Sequence, residues 1–422
     1  MKSAVMVVGF NIRPVACMCK QLGFRVIAID YWGDLDIRGC ADFLFAVFPQ
    51  KHSGQTCSNL TKPCSEMLVD LAEKAASHVN KIDFILVGSG LDDRPDLWTK
   101  LQHIAPVLGN SPEKLNMVRN PEKLFSIAKK EGIRFPKTEK AKSSKEAIEI
   151  AKNIGLPVVL KPTKGSGGFR IRFGRSPEEI KKNFIDVAGE NGEVLVQEYI
   201  KGVNASSSIL GNGTSCVIVS INEQLIGLKK LGAFTPFRYC GNIVPLKAND
   251  ETLYRIKEIS LTLGTKLKLV GSNGFDFVIG TDNEPYLIEV NPRFQGTLEL
   301  VKYVTGLNLV EQHINACNGK LPEKIPPPRG YAVKMIIFAK RKSMIPDLSG
   351  INHLFDIPCP GIIVNEGNPI CTVQVFSTSR NYAIEKASKI VSKVYRTISK
   401  GIQIDARNKI HPYLKFKHFK SQ

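Results

Sequence analysis

The stretch Gly274-Phe-Asp-Phe-Val-Ile-Gly-Thr-Asp-Asn-Glu-Pro-Tyr-Leu-Ile-Glu-Val-Asn-Pro-Arg293 decides how the rest of the chain is read. Two apolar runs, Phe275 to Ile279 and Tyr286 to Val290, flank the turn-forming pair Asp282-Asn283, which is the pattern of a β-hairpin. A turn centred there sets Asp276 opposite Glu289. Side chains alternate along a strand, so Asp276, Glu289 and Asn291 share one face. Phe275, Phe277, Ile288 and Val290 share the other. Three hard oxygen donors on one side of an apolar ribbon suit a Mg²⁺ ion bound to a nucleotide's phosphates. The plainer alternative is an antiparallel pair whose polar face meets water.

At 422 residues the chain suits two or three domains, and its 43% apolar content is ample for their cores. The formal charge of +19 is unevenly spread, with ten Lys or Arg against two acids from Asn381 to Gln422. Such a tail fits a polyanion partner or a solvated face, and the field it creates draws anionic substrates. Ten cysteines are scattered, Cys17, Cys19, Cys40, Cys57 and Cys64 among them, without a CxxC pair or a zinc spacing. The apolar run Ala4 to Val8 is too short for a secretory signal, and nothing approaches the roughly 20 apolar residues of a membrane span. The expectation is a reduced, cytoplasmic, soluble protein.

Along the chain, a strand from Ala4, a helix from Arg13 and a strand from Arg25 closed by Asp30 form a βαβ start. Its turn, Gly9-Phe-Asn-Ile-Arg-Pro, lacks GxGxxG, which argues against a dinucleotide site. Phe84 to Val87 is a further strand, followed by Gly88-Ser-Gly90. Loops at that end of a parallel sheet commonly line a crevice, so Gly9, Asn11 and Ser89 are candidate substrate contacts or simply tight turns. Pro121 to Glu131 reads as a helix, with Lys123 near its start. Leu156 to Lys161 is a strand ending in a lysine. The glycine-rich Lys164-Gly-Ser-Gly-Gly168 comes next, then an alternating strand from Phe169 to Phe173. A glycine-rich turn between strands can lay backbone N–H groups over phosphates, and equally can be a flexible tip. Glu193 to Ile200 is another strand. Val217 to Ser220 and Leu225 to Leu231 suggest two more, the latter carrying Lys229 and Lys230. Phe234 to Asn242, with Arg238 and Tyr239, is a plausible substrate wall. After the stiff linker Ile325-Pro-Pro-Pro-Arg-Gly330 come a strand from Tyr331, a hairpin of Gly361–Val364 with Ile370–Val375, and a basic helix from Tyr382 to Ile398.

Taken together, Lys123, Lys161 with Gly165-Ser-Gly-Gly168, Gln197-Glu-Tyr-Ile200, Asp276 and Glu289-Val-Asn-Pro-Arg293 resemble the signature of the ATP-grasp superfamily. The C-terminal part is similar to that of archaeal ATP-grasp carboligases related to biotin carboxylase. The resemblance implies an α/β and α+β chain in three parts. These are a Rossmann-like domain over 1–110, an ATP-grasp domain over 111–325 and a small α+β domain over 326–422. The ATP-grasp part divides into a lid at about 125–200 and a metal-binding part at about 201–325.

It also implies roles. Lys123 and Lys161 contact ATP phosphates, with Gly165, Ser166, Gly167 and Gly168 closing above them. Gln197, Glu198, Tyr199 and Ile200 form the adenine hinge. Asn204 stands where the family often has a ribose-binding glutamate, so ribose is held more weakly or completed elsewhere. Asp276, Glu289 and Asn291 coordinate Mg²⁺, with Mn²⁺ as the alternative, and Arg293 holds the phosphorylated intermediate. Lys229 or Lys230 adds a phosphate contact. Biotin carboxylases carry Val-Glu-His after the Arg-x-Gln, where this chain has Arg293-Phe-Gln-Gly-Thr297, which argues against carboxylation of biotin.

The implied activity is ATP-dependent ligation of a small-molecule carboxylate to an amine through an acyl phosphate, with a homodimer as a compatible assembly. The alternatives are a carboxylase working through carboxyphosphate and an inactive, basic nucleic-acid-binding protein.

Overall fold

In a computed structural model of the chain, residues 2–56, 63–165, 167–189 and 192–400 are described. Ser166, Cys57 and the tail from residue 401 onward lie outside the described residues. The βαβ start forms as its pattern predicts. Ala4–Gly9 pairs in parallel with Arg25–Asp30 through the helix Arg13–Gln21. Phe43–Ala46 and Phe84–Val87 complete a four-stranded parallel sheet around them. All six residues of the first strand are buried, as befits a Val-rich run covered on both faces.

A second four-stranded sheet, all antiparallel, runs in the order Thr138–Ala141, Val194–Glu198, Val158–Pro162, Arg172–Gly174. The helices Ser144–Ile154 and Pro177–Ala188 pack on it. Each is capped by a serine, Ser143 and Ser176, whose hydroxyl accepts the N–H three residues on. The strand expected from Phe169 to Phe173 is only Arg172–Gly174. Gly167, Gly168 and Arg170 all hold positive φ (65°, 73° and 58°), which no extended strand can include.

The third and largest sheet has eight strands. From one edge it runs Pro285–Asn291, Val270–Gly280, Gly202–Asn212, Cys216–Ile226, Tyr239–Val244, Tyr331–Phe338, Pro369–Ser377 and Leu354–Phe355. Tyr331–Phe338, beyond the Pro-rich linker, pairs directly with Tyr239–Val244. The segment set apart at residue 326 therefore extends the same sheet and buries its own helix, Arg380–Lys400, on it through Ala383, Ala387, Val391 and Val394.

Two expected elements differ. Val217–Ser220 and Leu225 belong to one strand, Cys216–Ile226, after which Lys229 and Lys230 sit in a short 3-10 turn. The hairpin expected around Glu366 does not form. Ile363–Val364 pairs with Ser343–Met344, while Pro369–Ser377 lies between Tyr331–Phe338 and Leu354–Phe355. An apolar strand buried along most of its length needs a partner on each edge, which a local hairpin cannot supply.

Cys17 and Cys40 form a disulfide, against the expectation of reduced cysteines. They are 23 residues apart, and only the packing of the first helix on the turn Leu35–Cys40 brings them together. No helix among the described residues is long and apolar enough to cross a membrane.

His313 ties the first two parts of the chain together. Its Nδ1 accepts the Ser272 N–H at 2.8 Å, and Nε2 donates to the Leu108 carbonyl at 3.2 Å. Burial lowers its pKa from the ordinary 6.5 to about 4, so the fold requires the neutral ring. The contribution is fully present above pH 6.5 and is lost as pH falls toward 4. Urea unfolding at pH 7.5 and pH 4.5 should show an acid-linked loss of up to about 3 kcal/mol in the native chain that His313→Phe lacks. At pH 7.5 that variant should be destabilised by about 2 kcal/mol, from the two backbone groups left unpaired. An equal acid-linked loss in both proteins would refute the assignment.

Candidate functional site

Asp276 and Glu289 face each other across Val270–Gly280 and Pro285–Asn291, in the register the turn predicts. The turn closes with Asn283 at φ 62°. Beyond Asp276 the ladder slips by one residue, so Phe277 pairs with Leu287 rather than Ile288. The slip makes Leu287 a core residue, while Ile288, expected on the apolar face, lines the cavity beside the acids. Phe275, Phe277, Leu287 and Val290 anchor the other face, each 1% exposed or less.

The acids are densely contacted. Asp276 accepts from the Gln224 amide at 2.8 Å and the Asn291 amide at 3.0 Å. Asn291 also donates to Glu289 at 3.3 Å. The Glu289 carboxylate is 3.5 Å from Arg119 Nη1. Burial and the facing Glu289 push the Asp276 carboxyl well above its ordinary range. Burial acts on Glu289 too, but Arg119 and Lys161 outweigh it and hold its carboxyl low. Burial lowers the Lys161 pKa, against the pull of Glu289 and Asp276.

Two crowded carboxylates, one pressed toward its protonated form, are what a divalent cation relieves. The donor set Asp276, Glu289 and Asn291 fits hard-cation chemistry once the Asn291 amide, whose nitrogen faces both acids here, is turned to offer its oxygen. Among the described residues, no group of three or more His, Cys, Asp or Glu is arranged as a metal site, so the amide is needed to complete this one.

These residues line one continuous cavity of about 1290 Å³. Lys161, Gly165, Gly167 and Gly168 line it from the small sheet and its loop, and so do Gln197 to Tyr199, Ile200 and Asn204. Gln197 is held by its amide's hydrogen bond to the Thr138 hydroxyl at 2.9 Å, and Tyr199 packs edge-on to Phe173. Asn204 pairs with Val278 across the strands.

Lys123 does not belong to this set. It is exposed, while Leu124 and Phe125 beside it are buried and line the cavity, which Lys123 does not. Lys229 and Lys230 are exposed as well and line no part of this cavity. The cation that meets the acids from this side is Arg119, just before the helix.

Three charged residues missed in the sequence complete the arrangement. Arg119 Nε donates to Asp93 at 2.7 Å, and its Nη2 donates to the Gly165 carbonyl at 3.1 Å. Asp93 also accepts the Gly165 N–H at 2.8 Å. On its other side the glycine loop is held by the Tyr239 N–H, which donates to the Gly167 carbonyl at 3.2 Å. A Cβ on Gly168 would come within 1.8 Å of the Phe237 carbonyl oxygen, so only glycine lets the loop lie that close. Asp92, 3% exposed, holds Arg293 Nε at 2.6 Å. Both aspartates follow Gly88-Ser-Gly90, the crevice-side loop of the parallel sheet, which was the available signal.

Residues 120–297 match the ATP-grasp domain family. Over 392 residues the chain is 28% identical to an uncharacterized protein of Methanocaldococcus jannaschii, covering 92% of this chain and 90% of that one. It is also 26% identical over 247 residues to the carbamoyl phosphate synthase large chain of Clostridium acetobutylicum, 56% of this chain but only 22% of that one. The biotin carboxylase domain of the Hydrogenobacter thermophilus 2-oxoglutarate carboxylase has a similar structure (TM-score 0.71, 19% identity, 92% of this chain and 88% of that one).

If Arg119 rather than Lys123 serves the phosphates, Arg119→Met should slow ADP formation about a hundredfold, on the order of 3 kcal/mol. Lys123→Ala should stay within about twofold of the parent. Steady-state ADP assays check this, and the reverse ranking would restore Lys123.

Proposed function

Residues 120–297 are an ATP-grasp domain, and on that premise we propose an ATP- and Mg²⁺-dependent ligase. It phosphorylates a small-molecule carboxylate and couples the acyl phosphate to an amine, releasing ADP and phosphate. The observation that carries this reading is the pair Asp276 and Glu289, facing each other in one cavity with Arg119, Lys161 and Arg293.

A carboxylate does not acylate an amine unaided, because oxide is a poor leaving group; a phosphoryl group makes it a good one. The first step brings one anion to another. Lys161 and Arg119 would offset the charge on the nucleotide's phosphates, and Arg293, oriented by Asp92, would receive the acyl phosphate's negative oxygens. Asp276, Glu289 and Asn291 would hold the Mg²⁺, which when bound neutralises phosphate charge. Gln197 to Ile200 offer a hinge for the base. The glycine loop, pinned by Asp93, Arg119 and Tyr239, lies where it would keep water from the intermediate. This route needs no covalent nucleophile.

Likeness to a biotin carboxylase domain raises the other fate of such a site, carboxyphosphate made from bicarbonate. Next to Arg293, however, the Gln295 amide donates to the Asn291 and Arg293 carbonyls, and no acid follows it in 296–298.

A screen of carboxylates with amines should release ADP only when both are present, and hydroxylamine should trap the acyl group as a hydroxamate. Asp276→Asn and Glu289→Gln should each lower turnover by about two orders of magnitude or more. Bicarbonate-dependent ADP release without an amine would select the carboxylase. AMP as product, or full activity in both variants, would overturn the mechanism.

A further inference from the structure

The cavity continues past Arg293 to a second end, between the parallel sheet and the C-terminal strands, and its chemistry there reverses. Asp34 and Asp356 line it, together with Phe10, Tyr31 and Trp32. Phe10 and Tyr31 stack with centroids 4.5 Å apart, and Trp32 meets Tyr31 edge-on at 4.7 Å. In a chain of net charge +19, this is an acidic, aromatic pocket.

Its charges do not balance. Arg13 is committed to three acids, with Nε 2.7 Å from Asp356 and 3.1 Å from Asp36 and a two-pronged contact to Glu299. Lys334 adds one more cation near Asp356, its Nζ donating to the Gly296 carbonyl at 3.3 Å. Asp30 is satisfied by the N–H groups of Ile12, Trp32 and Gly33. Among the described residues, that leaves Asp34 without a cation.

Asp34 sits at the N-cap of the turn Leu35–Cys40, where an aspartate would ordinarily accept a backbone N–H. Its side chain makes no such bond. It is 8% exposed and lines the cavity, with the Gln50 amide, 2.8 Å from Oδ1, as its hydrogen-bond partner among the described residues. Asp356 Oδ2 is likewise buried and lacks a hydrogen bond of proper geometry, although the Thr372 hydroxyl bears on the same carboxylate. Burial, with Asp30, Asp356 and Asp36 nearby, drives the Asp34 carboxyl far above its ordinary range. A positive charge brought in by a ligand would reverse that shift.

We propose that this end of the cavity binds an organic ammonium, its charged nitrogen between Asp34 and Asp356 and its apolar body against Phe10, Tyr31 and Trp32. Aromatic faces and desolvated carboxylates both favour a cation over a neutral or anionic group of the same shape. Resting on the ligase reading, the inference assigns this end to the amine co-substrate and the Arg293 end to the carboxylate. The single cavity joins the two.

The test uses the full chain and three probes of one shape, 2-phenylethylamine, 2-phenylethanol and 3-phenylpropanoate, titrated calorimetrically without nucleotide. The amine should bind at least about tenfold more tightly than either analogue. Asp34→Asn should erase that preference, and Trp32→Ala should weaken the amine about fivefold or more. Melting temperature verifies that the variants fold. Equal affinity for amine and alcohol in the parent chain, or an undiminished preference in Asp34→Asn, overturns the proposal. MgATP binding and ADP release are measured separately. Failure there with amine selectivity intact would count against the ligase and not the ammonium site; the converse would count against the site alone.

Discussion

Two carboxylates held face to face inside a cavity set the terms for the rest of this molecule. Asp276 and Glu289 cannot both carry charge there without help, and the help comes from three different places in the chain. Arg119 approaches from the start of the central part, Lys161 from the small sheet, and Gln224 and Asn291 from the large one. Removing one partner of a buried charge typically costs about 3–5 kcal/mol; with the Glu289 side chain 43% exposed, solvent screening brings its pairing with Arg119 down to about 1 kcal/mol. The acids therefore link the small sheet, the start of the central part and the large sheet electrostatically.

The same logic reaches into the parallel sheet through Asp92 and Asp93. One orients Arg293 and the other ties Gly165 and Arg119 to the loop that follows Phe84–Val87. The glycine loop thus contacts both of the bodies it would close against. Its glycines are needed for this. Gly167 and Gly168 adopt positive φ, and the backbone at Gly168 lies too near the Phe237 carbonyl to leave room for a side chain. The cavity it covers differs at its two ends, with Arg119, Lys161 and Arg293 around the acid pair at one and Asp34 and Asp356 with aromatic rings at the other. That polarity suits a reaction whose two organic substrates carry opposite charge.

Much of the frame was legible in local pattern. The βαβ start, the Pro121 helix and the facing of Asp276 and Glu289 follow from period two, period 3.6 and turn chemistry, which are short-range properties of the chain. The features not legible share one cause. Ile288 reached the cavity through a one-residue slip in the ladder, and hydrophobic alternation carries no mark of such a slip. Lys123 was placed correctly near a helix start, but which face of that helix meets the acids depends on how Leu124 and Phe125 dock in the core. Pro369–Ser377 found its partners far along the chain rather than in the neighbouring apolar run, and Cys17 met Cys40 only once a helix had packed.

What the sequence determined by itself was the chemistry available: paired acids on an apolar ribbon, a lysine closing a strand, a glycine loop, and a βαβ start. What only the tertiary structure decided was which charges meet. Arg119 on Glu289, Asp92 on Arg293 and Asp93 on Gly165 are all contacts between segments distant in sequence. Local periodicity reports the direction of a side chain relative to its own strand or helix. A long-range ion pair depends instead on where whole elements come to rest, and burial of their apolar faces sets that position.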